Sequence, residues 1–263
     1  MPMLDIDSYK KKMDEVGIVI LESVVPVKLV KKMREDIYKA YEVCRKIQVK
    51  NGIADNNEYT AHHLIGVKDS FMDYLLWSEV LEPYFAEYFG GKYILNSFGG
   101  AINRAHSKSY AHYVHRDVRS YSPDLPLIIN TLVMLDDFTE HNGATYLMPG
   151  SHRTHPEKPT DKEFFAKAIR ALAPAGSILM FDSNIWHSGG ENTTDNDRCS
   201  VTPMYCQPFV KPQFDYPRVL GYDKGDKYSA FMRQIIGYNS RIPATLDEWY
   251  QPPEKRMYKP GQG

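Results

Sequence analysis

The chain has 263 residues, 43% hydrophobic and 25% charged, enough for one large domain or two small ones with a sizeable core. Its 32 basic and 33 acidic residues leave a formal net charge of −1 with no basic stripe, which argues against binding a nucleic-acid backbone. No segment reaches the roughly 18 consecutive apolar residues of a membrane span, and the N-terminus lacks a signal-peptide core, so no membrane contact and a cytoplasmic location are expected. Cys44, Cys199 and Cys206 are widely spaced and form no C-x-x-C pair, which fits reduced thiols in that compartment.

In chain order, Asp7 or Ser8 is expected to cap a first short helix that stops at Gly17, and residues 17–21 read as a buried strand. Pro26 fits the first turn of a second helix, whose Leu29, Val30, Met33, Ile37, Ala40 and Tyr41 recur at helical spacing. Residues 51–70 read as a polar loop carrying His62 and His63, and residues 71–90 as one helix ended by Gly90-Gly91. Beyond residue 92, short apolar runs bounded by turn residues read as strands: 93–98, 101–104, 110–115, 127–135, 145–148, 177–181 and 199–207. Asn142-Gly143, Pro149-Gly150 and Pro174-Ala175-Gly176 supply turns, and residues 161–172 form a helical insert. The fold class expected is mainly β with helical additions, an antiparallel sandwich or barrel. It forms a single domain: a helical cover over 1–92, a β core over 93–207, and a Pro- and Tyr-rich tail or lid over 208–263 with a short helix near 229–236.

His115-Arg116-Asp117 spells the tripeptide of a protein-kinase catalytic loop. That reading fails on its neighbours. Ser122 stands where the metal-holding Asn is required, Asp137-Phe138 continues to Thr139 instead of Gly, and no glycine-rich nucleotide loop precedes residue 115.

The same residues offer a His-x-Asp pair. If 110–115 is a strand continuing through Asp117, His115 and Asp117 share one face and can point at one metal. A facial two-His, one-carboxylate site needs a distal His and keeps open positions for small ligands. His187 is the candidate. A polar turn separates it from Arg198 at the head of the next strand, so the two are expected to face each other across a hairpin. An arginine fork there suits a carboxylate, which suggests a chelating acid between metal and guanidinium.

With these residues assembled, the chain resembles the phytanoyl-CoA dioxygenase family of Fe(II)/2-oxoglutarate-dependent oxygenases from about Gly17 to Gln207. The blocks that carry the resemblance are residues 15–21, His115-x-Asp117, residues 135–145 followed by Met148-Pro149-Gly150-Ser151-His152-Arg153, residues 176–182, and Trp186-His187-Ser188-Gly189-Gly190 with Arg198 eleven residues past His187. The resemblance implies a double-stranded β-helix, or jelly roll, with Fe(II) held by His115, Asp117 and His187. It also implies 2-oxoglutarate paired to Arg198 with help from Thr145, and O2 as the oxidant. Succinate and CO2 would be released as a C–H bond of a small-molecule substrate is hydroxylated. Desaturation or ring formation uses the same ligands, and a non-catalytic metal or 2-oxoglutarate binder on the same fold is the competing class. Related halogenases carry Gly or Ala at the position of Asp117, so its presence points to oxygen transfer. His112 stands where many relatives have a Gln that touches the co-substrate, and Gly189 where the family often has Ser. Candidate substrate contacts are Asn103, Tyr113, Arg116, Tyr205 and His63, with His62 beside the last.

Overall fold

The computed structural model describes residues 4–55, 58–106, 110–118 and 120–262, so Asn56 and Asn57 of the expected polar loop lie outside the described residues. Helix α1 (Ile6–Glu15) is capped by Asp5, whose carboxylate accepts the Ser8 backbone N–H at 2.9 Å, two or three residues before the caps expected. Gly17, at φ 75°, turns the chain into β1 (Ile18–Leu21). In α2 (Val27–Lys50) Pro26 is the N-cap itself, its carbonyl accepting from Leu29 and Val30, and the predicted stripe of Val30, Met33, Ile37 and Ala40 is buried. The short β2 (Thr60–Ala61) follows.

The single helix expected over 71–90 is two, α3 (Asp69–Trp77) and α4 (Glu82–Phe89), joined by a 3-10 turn. Pro83 enforces the break, since it cannot donate a backbone hydrogen bond and restricts the residue before it. Conversely, the expected strands 93–98 and 101–104 are one, β3 (Ile94–Asn103). Gly99-Gly100 between them looks like a turn but has no positive φ. A Cβ on Gly99 would lie 2.8 Å from Thr202 Oγ1 and one on Gly100 2.5 Å from Ile37 Cδ1, so these glycines provide room for neighbours within the strand.

The remaining elements are β4 (Ile128–Met134), β5 (Tyr146–Leu147), α5 (Ser151–Thr154), α6 (Asp161–Lys167), β6 (Ile169–Arg170), β7 (Ile178–Asp182), β8 (His187–Ser188), β9 (Arg198–Cys206), α7 (Tyr216–Leu220), α8 (Ala230–Ile236) and α9 (Leu246–Trp249). The insert expected as a helix over 161–172 is therefore a helix followed by a strand. Residues 110–115 are not a strand. A 3-10 turn over Tyr110–His112 leads to a single bridge between His115 and His187.

All ladders are antiparallel, in a six-stranded sheet ordered β1-β7-β4-β9-β3-β2 and a three-stranded sheet ordered β6-β5-β8. The expectation of a mainly β chain is corrected, because helices hold more residues than strands and the fold is a mixed α/β arrangement. Strand alternation divides the large sheet's faces. Ile129, Val133, Val201 and Tyr205 point to the helices and join Met33, Ile37, Phe71 and Phe85 in the main core. Leu132, Met134, Leu179 and Phe181 point the other way and meet Leu147 of the small sheet. The segment after residue 207 is anchored, since Tyr216, Met232, Ile235 and Ile236 are buried in the main core. Among the described residues no helix is long and apolar enough to cross a membrane.

Candidate active site

A cavity of about 280 Å3 opens between the sheets. His115 and His187 reach it through their bridge: each backbone N–H donates to the other's carbonyl, at 2.9 and 2.8 Å, and the ring centroids lie 4.2 Å apart. Asp117 follows two residues later, with Oδ1 3.6 Å from His115 Nε2 and Oδ2 3.5 Å from His187 Nε2. One ligand atom from each of the three lies within 4.8 Å of the others.

Both rings are held in one tautomer. His115 Nδ1 is 2.8 Å from the Tyr113 carbonyl and His187 Nδ1 is 3.0 Å from the Ile185 carbonyl. A carbonyl only accepts, so the proton sits on Nδ1 and each Nε2 lone pair is free to face Asp117. Burial lowers the pKa of His187 to about 4, which keeps this imidazole neutral. Two imidazole Nε2 atoms and a carboxylate oxygen form a donor set suited to a divalent first-row metal with open positions, so the residues fit Fe(II).

Arg198 lines the same cavity, 5% exposed, in a different sheet from His187. The expected hairpin between them is corrected: β8 pairs with β5, whereas β9 pairs with β3 and β4. The turn between β8 and β9 is held by buried Asn192, whose amide donates to the carbonyls of Asn103 and Asn196 at 2.8 Å each. The Arg198 guanidinium donates to the Gly143 carbonyl at 2.7 Å, makes longer contacts of 3.4 Å to the Asn142 carbonyl and Ser200 Oγ, and lies 4.2 Å over the Phe138 ring. Among the described residues no carboxylate lies within ion-pair distance of it. Burial pulls its pKa down to about 10, so it remains charged at neutral pH, a buried cation aimed at a cavity.

Thr145, His112 and Asn103 also line the cavity. His112 Nε2 meets the Gly190 carbonyl at 3.1 Å, and Ser188 Oγ donates to the His112 carbonyl at 2.8 Å. Asn103 Nδ2 donates to the Gly190 carbonyl at 3.0 Å.

Four candidate substrate contacts lie elsewhere. Tyr205 is 1% exposed and packs on Phe85 and Tyr93 in the main core; seven residues from Arg198 on one strand, it must face the opposite side. Tyr113 is 74% exposed to solvent and does not line the cavity. Arg116, between two metal-motif residues, turns away from them, its guanidinium 5.1 Å over the Tyr121 ring and 4.9 Å over the Trp186 ring. His63 stacks on Phe214 at 4.2 Å, while His62 is the member of that pair that reaches the cavity.

Residues the sequence reading missed include Asn130, Ser200, Thr202 and Met204. The last three follow Arg198 at steps of two along β9, so the period of a strand was the signal that could have found them and excluded Tyr205. Asn130 donates its amide to Asp117 Oδ2, and no local pattern marks it.

The model of the family described as Phytanoyl-CoA dioxygenase (PhyH) matches residues 13–200, a span that contains His115, Asp117, His187 and Arg198. The chain belongs to the phytanoyl-CoA dioxygenase family. It is 40% identical to an uncharacterized protein of Mycobacterium tuberculosis over 135 residues, 51% of this chain and 49% of that one. It is 31% identical to Dioxygenase FUM3 of Gibberella moniliformis over 137 residues, 49% of this chain and 45% of that one. It is also 26% identical to Dioxygenase ALT11 of Alternaria alternata over 261 residues, 92% of this chain and 85% of that one. The chain spans about half the length of the first two of these relatives.

Proposed function

We propose that this family member is an Fe(II)- and 2-oxoglutarate-dependent oxygenase that hydroxylates a C–H bond of a small-molecule metabolite, on a single domain whose two facing sheets form a jelly roll. The observation that carries the reading is the meeting of two features in the lining of one cavity: the His115, Asp117 and His187 ligand atoms, and the buried Arg198 with no described carboxylate partner.

In this reading His115, Asp117 and His187 would hold the iron, which with 2-oxoglutarate and O2 would supply the oxidising power, with succinate and CO2 as the co-products of substrate oxidation. The protein orients and insulates. His115 and His187 present Nε2 because the Tyr113 and Ile185 carbonyls hold their Nδ1 protons. Arg198 would pair with a carboxylate of the co-substrate, and that charge-assisted contact would replace the hydration the guanidinium lost on burial. Gly143 places the fork, through its carbonyl, and Thr145 lines the same cavity with a hydroxyl to offer. Asp117 occupies the ligand position that halogenases leave open, which supports oxygen transfer.

The test is anaerobic addition of Fe(II) and then 2-oxoglutarate. The visible charge-transfer band of a chelated keto acid is expected in the intact protein and is expected to vanish in His187→Ala. Intact protein that gives no band sinks the assignment. Succinate release across a substrate panel then separates an enzyme from a binder.

A further inference from the structure

Asn130 is an odd residue for its position. It sits on β4, in the interior of the six-stranded sheet, opposite Phe181 of β7 on one side and Met204 of β9 on the other, and is 2% exposed. Asn is disfavoured in strands, and a buried amide is stabilising only when its polar atoms find partners. Here one of them does: Nδ2 donates to Asp117 Oδ2. A carboxylate accepts and does not donate, so this bond fixes which way the amide points. Asn130 Oδ1 is left buried without a partner. A leucine or valine would fill the site without that uncompensated acceptor, so stability does not account for the amide. Its contribution is the single hydrogen bond to Asp117.

That bond distinguishes the two carboxylate oxygens. Each oxygen lies near one imidazole, Oδ1 3.6 Å from His115 Nε2 and Oδ2 3.5 Å from His187 Nε2, but only Oδ2 is engaged by Asn130, while Oδ1 accepts no hydrogen bond among the described residues. The distinction matters to a metal. A carboxylate that binds through both oxygens takes two coordination positions, and one that binds through a single oxygen takes one. With two imidazoles, only the second mode leaves the three positions that a chelating keto acid and O2 require.

We propose that Asn130 is a positioning residue that holds Asp117 Oδ2, offers Oδ1 to the metal, and so keeps the protein's ligand count at three. The inference rests on the metal site proposed above. Its test is a double-mutant cycle read by Co(II) titration, following ligand-field absorption, on wild type, Asn130→Leu, Asp117→Ala and the double variant. Circular dichroism and thermal unfolding confirm the fold, and the same cycle with Asn130→Val, a strand-favouring residue, covers the case in which Leu is too bulky. Asn130→Leu is expected to weaken Co(II) binding about 10-fold or more, as loss of a partner behind a metal ligand typically does. It should have no further effect once Asp117 is Ala. Wild-type Co(II) affinity in Asn130→Leu and Asn130→Val overturns the inference, as does an equal loss with and without Asp117, which would mark a merely structural role. Failure of wild type to bind Co(II), or wild-type affinity in Asp117→Ala, overturns the metal site itself and this inference with it.

Discussion

Arg198→Met separates two effects that most active-site substitutions confound. Methionine roughly matches the volume of the arginine stem but carries no charge. In the free protein the guanidinium is a desolvated cation, and a pKa held at about 10 against an ordinary 12.5 corresponds to about 3 kcal/mol of lost solvation. Against this stands the bond to the Gly143 carbonyl, whose removal costs about 1–2 kcal/mol. The balance favours the variant by about 1–2 kcal/mol, or about 2–4 °C in Tm per kcal/mol for a chain of this size. Binding moves the other way. Removing one partner of a buried charge pair costs about 3–4 kcal/mol, so 2-oxoglutarate affinity should fall roughly 10²–10³-fold. Urea unfolding of the ligand-free protein and calorimetric titration of 2-oxoglutarate into Co(II)-loaded protein measure the two effects. A variant destabilised by more than about 3 kcal/mol, or one that binds 2-oxoglutarate within about threefold of wild type, refutes the reasoning.

Three further outcomes are expected. Tyr205→Phe should leave activity intact and change stability by less than about 1.5 kcal/mol, whereas Tyr205→Ala should cost about 3–5 kcal/mol in urea unfolding, because this ring fills the core and not the cavity. Gly143→Ala should destabilise by about 2 kcal/mol or more and weaken 2-oxoglutarate binding in calorimetry. Its φ is 82° and a Cβ would lie 2.2 Å from Asn103 Nδ2 and 2.4 Å from the Gly190 carbonyl, displacing the carbonyl that holds Arg198. Burial, reinforced by His62, lowers the pKa of His63 from 6.5 to about 4. Between those values the unfolded chain binds the proton and the folded chain does not, so unfolding free energy falls as pH drops from 6.5 toward 4. His63→Gln should flatten that fall by removing one titrating group, and an unchanged slope would show that His63 is not held neutral.

The sequence reading was most accurate where one element carries its own pattern. The α2 stripe, the buried β1 and the strands β4, β7 and β9 follow from periodicity, because each buries one face or both. It went wrong where a residue serves something distant. Gly99-Gly100 resembles a turn but makes room for Thr202 and Ile37, and Tyr205 has the chemistry of a pocket residue but faces the main core.

At the candidate site, the amino-acid sequence by itself determined the donor chemistry: two histidines, one aspartate two positions after the first of them, and an arginine downstream. It also determined the family, through blocks that a profile recognises. Only the tertiary structure decided how those groups meet. His115 reaches His187 through one reciprocal bridge and not along a strand, and His187 and Arg198 belong to opposing sheets and not to one hairpin. The physical reason is that side-chain identity is local, whereas convergence depends on strand pairings between residues far apart in the chain. Asn130 and Asp117 show this most directly: they lie thirteen positions apart, one inside β4 and the other just past the bridge from His115 to His187, and a hydrogen bond joins them.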